Sequence, residues 1–106
     1  MVNGESRNWI RFLITLSAFH AKYGNWPTRI RVYSFFIEEL KQKLSASDFV
    51  KLSGKLQFIE DNENPFFATD DYGNRIDYSE ALRMGERHED SNPREWLGIS
   101  EPDYYD

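Results

Sequence analysis

The chain has 106 residues, 29% of them charged and 16% aromatic, with a formal net charge of -5 and no cysteine. That length suits a single domain around one hydrophobic core, and the missing cysteines exclude disulfides, thiolate metal sites and a cysteine nucleophile together. No run approaches the roughly 18 apolar residues of a membrane-spanning helix. Residues 1–6 lack the basic and apolar regions of a secretory signal, so a cytoplasmic protein with no membrane partner is the expectation.

Residues 6–23 predict an amphipathic helix, because Trp9, Phe12, Leu13, Leu16, His20 and Tyr23 recur every three or four positions, with Ser6 as N-cap and Gly24 as stop. Asn25-Trp26-Pro27 interrupts it, since proline fixes its own φ and pushes Trp26 toward extended geometry. Residues 28–33 then alternate, Ile30 and Val32 on one face and Arg29 and Arg31 on the other, which predicts a half-buried strand. Ser34 is expected to cap a second helix whose buried stripe is Phe36, Ile37, Leu40 and Leu44. Ser45-Ala46-Ser47-Asp48 has a capping-box pattern and opens a third, short helix through Phe49 and Leu52 that ends near Gly54. Leu56, Phe58 and Ile59 start an extended segment that stops at the turn formers Asp61-Asn62-Glu63-Asn64-Pro65. Residues 66–70 and 75–78 flank Asp71-Tyr72-Gly73-Asn74, a hairpin signal in which Gly73 takes positive φ.

This order predicts an α+β fold: an N-terminal helix, a strand, two short helices, then a strand and a β-hairpin completing a small mixed sheet. The strands at 28–33 and 56–60, joined by helices, are parallel if adjacent, and the hairpin adds an antiparallel pair at one side. A helical domain with a winged hairpin is the alternative. Residues 1–78 are assigned to the domain, and 79–106, with eight acids against three arginines, to an acidic C-terminal arm. The arm is either a disordered tail or a segment held by Trp96, Leu97 and Ile99, with one or two helical turns over 79–84.

Catalytic, cofactor and metal sites are not expected. His20 sits on the apolar stripe, where a buried, hydrogen-bonded histidine is the plainer reading than a general base, and His88 falls in a loop. Asp70, Asp71 and Asp77 bracket the hairpin turn without the spacing of a calcium loop, and turn chemistry explains them. Gly54 and Gly73 stand alone, outside any phosphate-binding pattern.

Charge is split along the chain, nine Lys and Arg against four acids in residues 1–56 and four Arg against fourteen acids in residues 57–106. The leading expectation is a small non-enzymatic protein-interaction domain, of immunity, antitoxin or inhibitor type, whose acidic half meets a basic protein partner. Its candidate contacts are Glu95, Trp96, Leu97, Glu101, Asp103, Tyr104 and Tyr105, an aromatic anchor in a negative surround. Trp96 folding back onto its own chain is the plainer reading. The alternative is nucleic-acid binding through Arg29, Arg31, Lys41, Lys43, Lys51 and Lys55, a case that is stronger if those cations share one surface. Homo-oligomerisation through an edge strand or the aromatic arm stays open.

Overall fold

The computed structural model describes residues 4–84 and 92–99. The helix α1 (Gly4–Tyr23) leads into β1 (Arg29–Val32), α2 (Ser34–Lys43) and α3 (Ala46–Lys55), followed by β2 (Gln57–Glu60), β3 (Phe67–Thr69) and β4 (Arg75–Asp77); α4 (Tyr78–Arg83) and α5 (Pro93–Leu97) close the described chain. The strands form one mixed sheet in the order β2-β1-β3-β4, in which β1 is parallel to β2 and antiparallel to β3, and β3 pairs antiparallel with β4. The expected α+β arrangement is therefore the observed one, parallel pair and flanking hairpin included. The strand at 28–33 is an inner strand of the sheet, not a connector below a winged hairpin.

Register explains which face is covered. Phe58, Ile30, Ala68 and Ile76 lie opposite one another across the four strands, and Ile30, Ala68 and Ile76 are almost wholly buried. Phe12 of α1 meets both Phe58 and Phe36 of α2, with ring centroids 5.9 and 5.7 Å away. The helices thus cover this row, and α1 runs through the middle of the helical layer. A single amphipathic stripe undercounts its burial: Thr15, Leu16, Ser17, Ala18 and Phe19 are all buried in succession, because α1 touches α2, α4, α5 and the strands β3 and β4. Polar Thr15 is tolerated there since its hydroxyl donates to the carbonyl of Arg11 at 2.8 Å.

The helix ends have distinct local causes. Gly24, at φ 79, ends α1, and its N–H donates to the carbonyl of His20 at 2.8 Å. Ser34 does not cap α2 as expected. It is the first residue of the helix, and its backbone N–H donates at 3.0 Å to the side-chain oxygen of Asn62, from the loop after β2. A residue 28 positions away does what a local side chain usually does. Ser45 does cap α3, its hydroxyl accepting from the N–H of Asp48 at 3.2 Å. Ser45→Ala is expected to cost about 1 kcal/mol, measured by urea unfolding. The helix passes through Gly54 and ends one residue later than expected.

Candidate functional site

Three regions carry the side chains singled out by sequence, and a fourth emerges only from the fold. The first is α5. Asn92 caps it, its side-chain oxygen accepting from the N–H of Glu95 at 3.1 Å, Pro93 fills the first helical position and Gly98 ends it. Leu97 is 1% exposed in the main core. Trp96 is half-buried, stacked on Trp26 with centroids 4.6 Å apart and planes 7° from parallel; Trp26 in turn stacks on His20 at 4.2 Å. The Lys55 ammonium lies 5.4 Å from the Trp96 ring centroid and donates to the Trp96 carbonyl. Of the candidate partner contacts, then, Trp96 and Leu97 pack within their own chain and Glu95 is exposed. Glu101, Asp103, Tyr104 and Tyr105 lie outside the described residues, as does His88. His20 is half-buried against Trp26 rather than sealed in the core.

The second region is the set of basic candidates, which the fold divides. Arg29 and Arg31 stand on the outer face of the sheet, opposite the row that the helices cover. Arg29 pairs with Asp71 and donates to the carbonyl of Asp70 at 3.2 Å; Arg31 lies 3.4 Å from Asp61. Lys41, Lys43 and Lys51 belong to α2 and α3 in the helical layer, where Lys41 pairs with Glu38 at 3.3 Å. Lys55 is engaged with Trp96. The six cations do not share one surface. What does join Arg29 and Arg31 on the outer face is Arg75, which pairs with Thr69 just as Thr69 pairs with Arg29, and Phe67, the cross-strand neighbour of Arg31.

The third is the hairpin turn. Asp70 is 4% exposed, and its carboxylate accepts four hydrogen bonds: 2.9 Å from the N–H of Tyr72, 3.0 Å from that of Asn74, and 2.9 Å from each side-chain amide of Asn25 and Asn74. Burial works against the charge, but the donors from Asn25, Asn74 and Tyr72 outweigh it and hold the carboxyl down to about 2. Each oxygen already accepts two hydrogen bonds, which accounts for Asp70 as the fastener between the turn and the loop before β1 rather than as a cation ligand.

The fourth region is a cleft of about 450 Å³ lined by Arg11, Tyr33, Glu63, Asn64, Pro65, Phe66, Phe67, Asp77, Tyr78 and Ser79. It opens beyond the carboxyl ends of β1, β2 and β4. The chain leaves β1 through α2 and α3 to reach β2 on one side, and returns from β2 to β3 on the other side of β1. No protein-family model, curated protein or solved structure matches the chain.

The wall formed by residues 61–66 is held at several points. Asp61 accepts from the N–H of Asn64 at 2.9 Å and of Glu63 at 3.0 Å, and with the Arg31 guanidinium these donors keep its carboxyl below the ordinary carboxylate value against the cost of desolvation. Asn62 caps α2. Phe66 adopts φ 59, a left-handed conformation that costs a bulky residue roughly 1–3 kcal/mol. The strain is offset by what it places: the Phe66 N–H donates to the carbonyl of Arg31 at 2.6 Å, and its ring, 2% exposed, packs against Phe36, Tyr33 and Tyr78. Sequence reasoning missed this site. Its one sequence signal was Arg11, the single charged residue in the largely apolar stretch of residues 9–19.

Proposed function

We infer that the chain is a small non-enzymatic protein-interaction domain of the immunity, antitoxin or inhibitor type that meets a basic protein surface with its acidic C-terminal half. One observation carries this reading. Residues 85–91 and 100–106 hold Glu86, Glu89, Asp90, Glu101, Asp103 and Asp106 against Arg87, so together they carry the whole net charge of -5, and the rest of the chain is neutral. Both segments flank α5, which Leu97 and Trp96 fasten to the body. Negative charge concentrated in the sequence on either side of an anchored helix favours fast, salt-sensitive association with a positively charged partner. The test is cross-linked capture from the native host at low and high salt, comparing the chain with the triple variant Glu95→Lys, Glu101→Lys and Asp103→Lys and with the control Glu38→Lys. Basic partners captured by the chain and the control, lost at high salt and absent with the triple variant, are expected. A triple variant that keeps every partner would overturn the reading.

A second reading, single-stranded nucleic-acid binding, is favoured by the outer sheet face, where Phe67 lies between Arg31 and Asp77 and the neighbouring Thr69 between Arg29 and Arg75, cations near an aromatic of the kind that tracks a phosphate backbone and stacks bases. Against it, Arg29 and Arg31 already face Asp71 and Asp61. Removing residues 79–106 would take away Ala81 and Leu97 of the core, so this reading is tested on the full chain. Anisotropy of a labelled oligothymidine that does not change at low salt would exclude it.

A further inference from the structure

We propose that the cleft beyond the carboxyl ends of β1 and β2 is a binding site for a small, singly charged aromatic carboxylate. Its volume of about 450 Å³ suits a small molecule, and its walls divide by chemistry. Arg11 is a half-buried guanidinium whose partners among the described residues are the Asn8 side-chain oxygen, at 3.0 Å, and the face of the Tyr78 ring, 5.9 Å away. No described carboxylate lies within ion-pair distance of it. A guanidinium presents five N–H donors in a planar fork that matches a carboxylate, and most of those on Arg11 are unspent.

The aromatic walls define the other half of the ligand. Tyr33 and Phe66 meet edge to face, their centroids 5.8 Å apart, and Phe66 lies 6.4 Å from Tyr78. Phe66 is buried as the floor, so a flat ring in the cleft would rest against the partly exposed Tyr33 and Tyr78, which Phe66 and the tied-down 61–66 wall hold in place before any ligand arrives. Glu63 and Asp77 restrict the charge. Both line the cleft, and although Asp77 is committed to capping α4 through the N–H of Glu80, at 2.7 Å, their charges oppose any anion and a dianion more strongly than a monoanion, so the single charge is one that Arg11 has to hold against them. One negative charge on Arg11 and one ring against Tyr33 and Tyr78 match the cationic and the aromatic walls. The proposal uses neither the acidic segments nor Arg29, and although Phe67 lines the cleft as well as the outer sheet face, its test reads small ligands and not a protein or an oligonucleotide.

The test is an amide NMR titration of the full chain with benzoate, benzyl alcohol, benzylamine and inorganic phosphate. Benzoate is expected to shift the amides of Asn64, Phe67, Tyr78 and Ser79 saturably, with benzyl alcohol weaker by about tenfold or more because it lacks the charge for Arg11. Arg11→Gln should remove that preference while leaving the rest of the spectrum in place; Lys43→Gln is the control. The ligand series on the unaltered chain needs no variant, so a poorly folded Arg11→Gln does not spoil it. Benzylamine or benzyl alcohol binding as well as benzoate, phosphate moving the same amides as strongly, or shifts scattered away from the cleft would each overturn the proposal.

Discussion

Replacing Leu97 by alanine is expected to cost about 2–5 kcal/mol of unfolding free energy, the range for a leucine removed from a tightly packed core. Leu97 is 1% exposed although it belongs to a helix of five residues. So short a helix has no stability of its own, since nucleation is unfavourable and few intrahelical bonds form. Its geometry is held by docking onto α1 and α3. The same substitution should therefore melt α5 as a unit. Amide exchange over residues 92–99 is expected to be slow in the unaltered chain at every protein concentration, and fast in Leu97→Ala while β1 stays protected. Protection that rose with concentration would mean that α5 docks between copies instead. Trp96→Ala should cost less, because Trp96 is half-buried and much of its contribution is the stack on Trp26, worth about 0.5–1.5 kcal/mol beyond area burial.

This dependence shows how far the fold was legible in sequence. Elements whose signal is local were readable: the alternation at Arg29, Ile30, Arg31 and Val32, the capping pattern at Ser45, and the turn around Gly73 all encode geometry within a few residues. What sequence could not supply were partners at long range. Ser34 looks like a cap, yet Asn62 does the capping, because the loop after β2 returns to the carboxyl end of β1. Trp96 reads as a docked residue more plainly than as a free anchor, but sequence does not name Trp26 as the surface it docks on. The fold divides the basic candidates for the same reason: alternation puts Arg29 and Arg31 on one strand face, but only the topology decides that α2 and α3 carry their lysines in the opposite layer. The cleft is the extreme case. Arg11, Tyr33, Phe66 and Tyr78 come from four separate parts of the chain, and no spacing rule joins them.

Asp70 and Asp71 are neighbours in sequence with opposite expected behaviour. Asp71 is two-thirds exposed, its contact is a surface ion pair with Arg29, and Asp71→Ala should change stability by about 0–1 kcal/mol. Asp70→Ala should lower the melting temperature markedly, because it strands four donors at once: the side-chain amides of Asn25 and Asn74 and the N–H groups of Tyr72 and Asn74. Asparagine is no remedy, since its own amide would place a donor against donors. The pH dependence separates charge from shape. With the folded-state carboxyl at about 2 and an ordinary value of 3.8, the charge of Asp70 stabilises the native state fully above the ordinary value, and that contribution disappears as pH falls through about 2. The gap in melting temperature between the unaltered chain and Asp70→Ala should thus be constant near neutrality and narrow steadily below pH 4. A gap that stayed constant down to pH 2 would mean that the side chain fastens the hairpin by packing alone, and the four-donor account of the turn would be wrong.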